Sequence, residues 1–351
     1  MIVHTSIGGH RVRVELSNAY GAAPLTVGSA HIALREKDSA IVRGSDRALM
    51  FNGKPGCSIP VGAFLMSDPV TLEVPKMGDL AISIYVPGDT GPATTHSTAL
   101  QTTYISKQGD ATAEPAISDP ITTVSWYFLK GVEVAASANT ASVVTFGDSI
   151  TDGTRSTPNT NSSWPAFLAR RIPDIAVLNE GIAGNRVLRD DLGVSALARF
   201  DRDVISQPGV KWVTIMEGIN DIGAGLGPKF VFAPQPNAPA SEVVTADELI
   251  GGYKQMINRA HEHNIKVYGS PLTPFEGSPY YTERGNETRK SVNQWIRTAG
   301  AFDALIDFDA VTRDPSHMDK FRADYDSSDH LHPNDVGYKA MAEVVKLSLF
   351  K

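Results

Sequence analysis

The pattern of hydrophobic and polar positions changes near residue 140. Before that point, alternating runs are broken by Gly, Pro and Asp, as in RVRVELSN (11–18), VTLEVP (70–75) and LAISIYVP (80–87). Alternation predicts half-buried antiparallel strands, because successive side chains of a strand point to opposite faces. In the first run, Val12, Val14 and Leu16 share the predicted core face. We therefore expect an all-β domain, sandwich-like or jelly-roll-like, over residues 1–137.

Beyond this point, short apolar segments alternate with longer segments of helical spacing. The predicted strands lie near 141–147, 175–179, 210–216, 265–270 and 303–307. The segment 245–264 is predicted to be a helix, with Thr245 as its N-cap and Glu248 at the capping-box distance. Alternating strands and helices predict a parallel sheet covered by helices on both faces. Residues 138–351 should therefore form an α/β domain.

Two further segments complete the prediction for this second domain. The stretch 333–350 begins with Pro333 and is predicted to be a closing helix, with its apolar face formed by Val336, Ala340, Val344 and Leu347. The Pro- and Ala-rich stretch 223–241 is predicted to be a long irregular loop. Because long loops in compact domains are often functional, we expect it to border a substrate site.

Composition narrows the classes of partner. The chain of 351 residues has 32 Lys and Arg against 39 Asp and Glu, a net charge of -7, without a clustered basic segment. This disfavours nucleic acid, whose phosphates bind clustered Lys and Arg. No apolar run is long enough to span a membrane, and the first residues lack the segments of a secretory signal, so we expect a soluble chain without a signal peptide. The single cysteine excludes an intrachain disulfide.

Candidate chemistry follows three predicted strands. Ser149 lies in Gly-Asp-Ser after the first, Gly184 follows the second, and Asn220 follows the third within IMEGINDIG (215–223). In an open parallel sheet, functional groups collect where strands end. Acyl transfer needs a nucleophile and N–H donors for an oxyanion, and Gly turns and Asn amides supply such donors. The alternative is that these residues only cap helices and form turns.

The stretch DYDSSDHLHPND (324–335) holds further candidates. Asp329 and His332 are three residues apart, so they can pair as carboxylate and base within one loop. A calcium loop is disfavoured because its sixth position is Asp329 rather than Gly. A zinc site using His330 and His332 lacks convincing further ligands. The α/β-hydrolase Gly-x-Ser-x-Gly, the phosphate-binding loop and His-Glu-x-x-His are absent from the sequence, so we expect no cofactor and no metal.

Together these segments resemble the four ordered blocks of the SGNH (GDSL-type) hydrolases. The blocks are Gly147-Asp148-Ser149, Gly184 in Gly-Asn-Arg, Gly218-Ile219-Asn220-Asp221 and Asp329-His330-Leu331-His332-Pro333. LTPF (272–275) and DFDA (307–310) are similar to segments of the secreted sugar-ester esterases of this family, and the first half resembles a β-sandwich that precedes the catalytic domain in some members. Two positions depart from the pattern: Ile150 replaces the eponymous Leu, and Ser328 stands where Gly is frequent.

The resemblance implies a flavodoxin-like three-layer α/β/α domain and a role for each block. Ser149 would be the nucleophile, His332 the base and Asp329 its partner. An oxyanion hole would comprise the Ser149 and Gly184 backbone N–H groups and the Asn220 amide.

The implied activity is that of a serine esterase that cleaves short-chain acyl (acetyl) esters, with a carbohydrate ester or another small-molecule ester as substrate. Two alternatives stay open: a noncatalytic carbohydrate-binding protein on a hydrolase scaffold, and an acyltransferase using the same residues. The β-domain is expected either to face carbohydrate as an accessory domain or to act as a packing partner. The oligomeric state and the compartment stay open, although members of the family are often secreted.

Overall fold

The computed structural model describes residues 1–107, 109–226 and 243–351. The chain divides into two compact units, Met1–Thr140 and Ala141–Lys351. The observed boundary lies at Thr140, whereas the sequence places the end of the first domain at residue 137. Each unit has its own apolar core: one cluster fills the first unit and two clusters fill the second.

The described part of the first unit is built from strands. They are β1 (Ile2–His4), β2 (Gly9–Ser17), β3 (Leu25–Val27), β4 (Ser29–Lys37), β5 (Ala40–Ile41), β6 (Arg47–Ala48), β7 (Cys57–Ile59), β8 (Phe64–Met66), β9 (Val70–Val74), β10 (Asp79–Tyr85), β11 (Thr95–His96), β12 (Thr103–Ile105), β13 (Ile121–Thr123), β14 (Trp126–Tyr127) and β15 (Leu129–Val134).

These strands pair antiparallel. The larger sheet has the order β1-β10-β4-β5, with β6 also on β4, and the next has the order β15-β2-β8, with β9 also on β2. Along β2, Val12, Val14 and Leu16 are buried, while Arg11 and Arg13 are exposed. The alternation in the sequence therefore predicted the buried face correctly, and the antiparallel β character of this half is confirmed.

The second unit alternates strands and helices. Its strands are β16 (Ser142–Gly147), β17 (Ala176–Gly181), β18 (Val210–Met216), β19 (Lys266–Gly269), β20 (Ala304–Leu305), β21 (Arg313–Asp314) and β22 (His317–Phe321). Its helices are α1 (Ser149–Asp152), α2 (Trp164–Arg171), α3 (Ala196–Phe200), α4 (Ile219–Leu226), α5 (Ala246–Glu262), α6 (Glu283–Thr298), α7 (Phe308–Thr312) and α8 (Asp335–Val344). A π-helical turn (Asp201–Ile205) continues α3, and a 3-10 turn (Leu347–Phe350) follows α8.

A five-stranded sheet forms the centre of this unit. Its order is β17-β16-β18-β19-β20 and every pair is parallel. This is the flavodoxin-like order 2-1-3-4-5, in which β17 is added on one side of β16 and the later strands are added on the other side, beginning with β18. Val144 packs against one helical layer and Val143 against the other, because neighbouring side chains of β16 point to opposite faces. The predicted three-layer α/β/α fold is confirmed.

Helix α5 begins as its sequence predicts. The Thr245 side chain accepts a hydrogen bond from the Glu248 backbone N–H, and the Glu248 carboxylate accepts one from the Thr245 backbone N–H. The helix ends at Glu262, and Asn264 takes a left-handed φ of 59° just beyond it. The local sequence therefore specifies both ends of this helix.

The predicted face of the closing helix is wrong. The helix is shorter than 333–350, because Asn334 caps it by accepting from the backbone N–H groups of Val336 and Gly337, and Val345 has extended backbone at its end. Val336 and Val344 are exposed, and so is Leu347, which lies in the separate 3-10 turn. The buried face is instead formed by Gly337, Tyr338, Met341 and Ala342.

The predicted loop 223–241 begins inside a helix. Helix α4 extends to Leu226, so the first residues of the stretch are helical and the prediction is wrong there. The remainder, from residue 227, lies outside the described residues. The helical start matters for the site, because α4 carries Asn220 in its first turn.

Candidate active site

Ser149 lies where the central strand ends. Strand β16 runs to Gly147, and Asp148 then caps the short helix α1 by accepting from the Ile150 backbone N–H at 2.9 Å. Ser149 is the first residue of this helix, with 7% of its surface exposed, and its own backbone N–H has no acceptor within the described residues. Gly147 has no room for a Cβ, which would lie 2.4 Å from the Met216 carbonyl oxygen. The Gly-Asp-Ser sequence therefore suits this tight strand-to-helix turn.

Ser149, His332 and Asp329 form a continuous chain of contacts. Ser149 Oγ lies 2.8 Å from His332 Nε2, and His332 Nδ1 lies 2.8 Å from Asp329 Oδ2. Asp329 Oδ1 accepts from the backbone N–H groups of Leu331 and His332 at 3.1 and 2.9 Å. Because Nδ1 donates to the carboxylate, Nε2 is left to accept the proton of the serine hydroxyl. The structure therefore brings together the three side chains predicted as nucleophile, base and orienting carboxylate.

Asp329 is held as a carboxylate. Partial burial acts to raise its pKa, but the hydrogen bond and the charge of His332, together with the backbone donors, hold the pKa well below its ordinary value. Arg155 Nε also donates to Asp329 Oδ2, at 3.1 Å. Arg155 follows α1 and has a left-handed φ of 73°. It was missed from the sequence, because nothing in the sequence links residues 155 and 329.

The loop that carries this pair is shaped by Asp326. Its carboxylate accepts from the backbone N–H groups of Ser328 and His330, and it also pairs with the His330 ring. Ser328 and His330 have positive φ values of 78° and 58°. The left-handed conformation at Ser328 explains why Gly suits this position, since Gly adopts it without strain. His330 is thus engaged by Asp326 rather than by Ser149 or Asp329.

The predicted oxyanion donors follow neighbouring strands. Gly184 lies after β17 with a φ of 79°, and its backbone N–H has no acceptor within the described residues. Asn220 lies after β18, and its Nδ2 donates to the Asn185 carbonyl oxygen at 2.8 Å. An amide nitrogen carries two hydrogens, so one remains for another acceptor. Asn185, which follows Gly184, therefore links the loop after β17 to Asn220 at the start of α4.

Tyr280 holds the other end of the Asn220 amide. Its hydroxyl donates to Asn220 Oδ1 at 3.1 Å, and its side chain is buried. Gly223, one turn along α4, makes room for the ring, because a Cβ there would lie 2.6 Å from Tyr280 Cδ2. Tyr280 was not predicted from the sequence. Gly223 belongs to the motif IMEGINDIG, but nothing in the sequence identifies Tyr280, 57 positions later (280 minus 223), as its packing partner.

A buried arginine lies beneath these segments. Arg199 Nη2 donates to the Gly147 carbonyl oxygen at 3.0 Å, Nε donates to Asn185 Oδ1 at 2.8 Å, and Nη1 donates to the Glu180 carbonyl oxygen at 2.8 Å. Its Nη2 also lies 3.5 Å from Glu217 Oε2. One side chain thus connects the backbone before Ser149 with the residue after Gly184. In the sequence, Arg199 stands out as a charged residue within the apolar segment ALARF (196–200), but it was not predicted to support the site.

Three buried carboxyl groups lie next to the site residues. Burial raises the pKa of Asp148 to about 7 and that of Asp221 to about 6, against backbone hydrogen bonds that lower both. Burial also raises the pKa of Glu217 well above its usual range, and the charge of Asp148 adds to this effect. Asp221 accepts from the backbone N–H groups of Val187 and Leu188, which ties α4 to the loop after β17. These hydrogen bonds account for the buried Asp221 by its positioning of the loop after β17, without a part in catalysis.

The described residues contain neither a spanning helix nor a metal-binding cluster. None of their helices combines the length and the apolar character needed to cross a membrane. Within the same residues, no group of three or more His, Cys, Asp or Glu side chains is arranged to hold a metal ion.

Solved structures that are similar to this protein cover part of its chain. No curated protein matches the chain. Among solved structures, the chain is similar to a GDSL-like lipase from Bacteroides thetaiotaomicron, with 21% identity over 60% of this chain and 87% of that one, at a TM-score of 0.44. It is also similar to a variant of an acetyl xylan esterase from Geobacillus stearothermophilus, with 20% identity over 58% of this chain and 92% of that one, at a TM-score of 0.44.

A family model gives the firmer assignment. Residues 145–340 match the model of the GDSL-like lipase/acylhydrolase family, which is more than half of the 351 residues. The matched segment contains all four blocks on which the resemblance was based, from Ser149 to His332. The predicted relationship to the GDSL-type hydrolases is confirmed. The chain belongs to the GDSL-like lipase/acylhydrolase family.

Proposed function

We propose that this protein hydrolyses carboxylic esters with short acyl chains and that Ser149 is the nucleophile. The observation that carries the proposal is the hydrogen-bonded chain from Ser149 Oγ through His332 to Asp329, with both contacts at 2.8 Å. A serine hydroxyl is a weak nucleophile near neutral pH, and it needs an adjacent base that a third group orients. In this proposal, Ser149 is the nucleophile, His332 is the adjacent base and Asp329 is the group that orients the base.

The acylation step follows from these contacts. Ser149 Oγ attacks the ester carbonyl carbon while its proton moves to His332 Nε2, and the carbonyl oxygen becomes an oxyanion. Asp329 stabilises the resulting imidazolium and keeps Nδ1 directed toward itself. His332 then gives the proton to the oxygen of the leaving alcohol as the carbon–oxygen bond breaks. The product of this step is an acyl group on Ser149.

Deacylation reverses the roles with water as the attacking group. His332 accepts a proton from the water molecule, the acyl carbon gains a hydroxyl group, and Ser149 Oγ leaves and regains its proton. The free N–H groups of Ser149 and Gly184 and the second Nδ2 hydrogen of Asn220 are the donors for both tetrahedral intermediates. Such donors act on charge that develops in the transition state, and losing one typically lowers the rate ~100-fold to 1000-fold.

A carbohydrate acetyl ester is the substrate class that we propose. The support is the similarity of LTPF (272–275) and DFDA (307–310) to segments of sugar-ester esterases. The test compares sugar acetates and acetylated xylan with aryl esters of increasing acyl length. Faster turnover of acetyl esters than of chains with eight or more carbons is expected. A preference for the long chains would refute the short-acyl assignment.

Ser149→Ala is the direct test of the mechanism. The variant should lose turnover of an aryl acetate by a factor of at least ~1000, because it lacks the hydroxyl that lies 2.8 Å from His332 Nε2 and that forms the acyl intermediate in this mechanism. Ser142→Ala is the matched control: Ser142 begins β16, the strand that leads to Ser149, and its hydroxyl donates to the Pro208 carbonyl oxygen. This variant should retain wild-type turnover. Wild-type turnover by Ser149→Ala would overturn the proposal.

Two further measurements test the alternative functions. Labelling with a covalent serine probe tests whether the protein is only a binding protein, and product analysis identifies the acyl acceptor. A covalent serine probe should label the wild type and not Ser149→Ala. A protein that the probe does not label would instead be a binding protein on a hydrolase scaffold. Product analysis in the presence of a sugar alcohol should yield mainly the free acid, and an excess of transferred ester would identify an acyltransferase.

A further inference from the structure

The Asn220 carboxamide is held at both of its ends. Its Nδ2 donates to the Asn185 carbonyl oxygen at 2.8 Å, and its Oδ1 accepts from the Tyr280 hydroxyl at 3.1 Å. A carbonyl oxygen can only accept hydrogen bonds, so the end that faces Asn185 must be the nitrogen. It follows that the Tyr280 hydroxyl is the donor in its own contact.

The Asn185 side of this arrangement is rigid. The Asn185 backbone N–H donates to the Ile182 carbonyl oxygen, its Nδ2 donates to the Val194 carbonyl oxygen, and its Oδ1 accepts from Arg199. The Asn185 carbonyl is therefore a fixed point. With this contact alone, however, the plane of the Asn220 amide is poorly defined, because the terminal torsion of Asn has a broad, roughly two-fold profile. A second anchor on Oδ1 removes that freedom.

Tyr280 is built to be the second anchor. Its ring occupies the space over Gly223, and a Cβ at that position would lie 2.6 Å from the ring. Its side chain is buried, and burial raises the pKa of Tyr280 far above its ordinary value, so the hydroxyl keeps its proton and remains a donor. The hydroxyl reaches Asn220 in the first turn of the same helix that carries Gly223.

We propose that Tyr280 is a positioning residue for ester hydrolysis that acts through Asn220. Its hydroxyl fixes the amide plane so that the second Nδ2 hydrogen points toward the oxyanion of the tetrahedral intermediate. The inference rests on the proposed function, since it assigns a purpose to the donor that the mechanism uses. Tyr280 itself touches neither the nucleophile nor the reacting atoms in this scheme.

The first test is the change Tyr280→Phe, which removes one oxygen and leaves the ring. The kcat for an aryl acetate is expected to fall roughly fivefold to tenfold, as for the loss of one neutral hydrogen bond, while KM stays within about twofold. A split of this kind indicates a contact that matters in the transition state. An unchanged kcat, or a loss confined to KM, would overturn the inference.

A double-mutant cycle tests whether Tyr280 acts through Asn220. Asn220→Ala alone should lower kcat ~100-fold to 1000-fold. If Tyr280 acts through that amide, then adding Tyr280→Phe to Asn220→Ala should change kcat by less than about twofold. A double variant whose loss is the product of the two single losses would show independent action and would refute the proposal.

Tyr268→Phe is the matched control. The Tyr268 hydroxyl donates to the Leu349 carbonyl oxygen, and its ring packs in the core on the α8 side of the sheet. The variant loses one phenol hydrogen bond in the same domain without touching Asn220, so kcat should stay at the wild-type level. A comparable fall in kcat for both Tyr variants would point to general loosening of the domain, which contradicts a specific role for Tyr280.

The results for Ser149→Ala and Tyr280→Phe together distinguish a failure of this inference from a failure of the proposed function. If the wild type is active and Ser149→Ala is not, the proposed function stands, and a fully active Tyr280→Phe then refutes only the role of Tyr280. If Ser149→Ala is as active as the wild type, the proposed function itself fails. Urea denaturation of Tyr280→Phe gives its folded fraction, to which kcat is referred.

Discussion

Asp148→Asn is expected to make the protein more stable at pH 8, although Asp148 is part of the Gly-Asp-Ser motif. The side chain is 1% exposed. Its Oδ1 accepts from the Ile150 backbone N–H, and its Oδ2 has no hydrogen-bond partner within the described residues. Burial raises the pKa of Asp148 to about 7 from 3.8. Above neutral pH the folded protein must therefore hold a buried carboxylate with one oxygen unsolvated.

The sign of the effect follows from proton linkage. Between pH 3.8 and about 7 the folded state holds the Asp148 proton and the unfolded state does not, so the free energy of unfolding falls as pH rises through this window. A shift of about three pKa units corresponds to about 4 kcal/mol, fully lost above the folded pKa. Asparagine can keep the cap through its carbonyl oxygen without ever ionising, so it avoids this loss.

Urea denaturation of the wild type and Asp148→Asn at pH 5 and pH 8 measures the effect. At pH 5 the variant should already be more stable by about 1.6 kcal/mol, because pH 5 lies about 1.2 units above the unfolded pKa of 3.8, and at pH 8 it should be more stable by about 4 kcal/mol. The comparison between variants is needed because burial raises the pKa of Glu217 and Asp221 as well, which gives the wild type a similar slope.

A partly exposed aspartate with the opposite pKa shift provides the control for this experiment. Hydrogen bonds from Ser316 lower the pKa of Asp314, so its contribution to stability is present above its unfolded pKa and is lost only as pH falls through the lower folded value. Asp314→Asn should therefore show no gain at pH 8. The reasoning about Asp148 is refuted if Asp148→Asn lowers the free energy of unfolding by the same amount at both pH values.

Two further substitutions probe the supports of the site. Arg199→Met should lower the free energy of unfolding by ~3 to 5 kcal/mol in urea denaturation, since the Gly147 carbonyl oxygen loses a buried donor and the buried Asp203 carboxylate loses an ion pair at 3.3 Å. A loss under ~1 kcal/mol would contradict the proposed support. Gly184→Ala should lower kcat/KM at least ~100-fold, because φ is 79° and the Cβ would lie 2.4 Å from Leu192 Cδ1. Gly300→Ala, with φ of 64° and open space around it, should retain wild-type kcat/KM.

The parts of the fold and site that depend on short stretches of sequence were predictable. The strand-end position of Ser149 and the capping box of α5 each depend on a few consecutive residues. The Asp329–His332 pair was predictable for the same reason, because both residues lie in one loop. Local sequence carries this information directly, through hydrophobic period and hydrogen-bonding capacity.

The supports of the site were not predictable, because they depend on long-range contacts. Tyr280 reaches Asn220 across 60 positions, and Arg155 reaches Asp329 across 174. The face of α8 was wrong for a different reason. Helical spacing in 333–350 allowed two apolar faces, and only packing against the sheet selected the one with Tyr338 and Met341. A single sequence does not contain the position of the partner layer.

Because Asp329 and His332 lie on one loop, the proposed base and its proposed orienting carboxylate form a preassembled unit. The loop is braced by the Asp326 hydrogen bonds and by backbone pairing between Asp326 and Pro333. A movement of this loop away from α1 would break the Ser149–His332 contact but leave the His332–Asp329 contact intact. The imidazole would keep its tautomer during such a movement, so the three-residue chain would re-form once Ser149 Oγ returned to His332 Nε2, with the Arg155–Asp329 contact re-forming beside it. Assembly of the three side chains then requires the meeting of two parts of the protein, α1 and this loop, rather than of three separate segments.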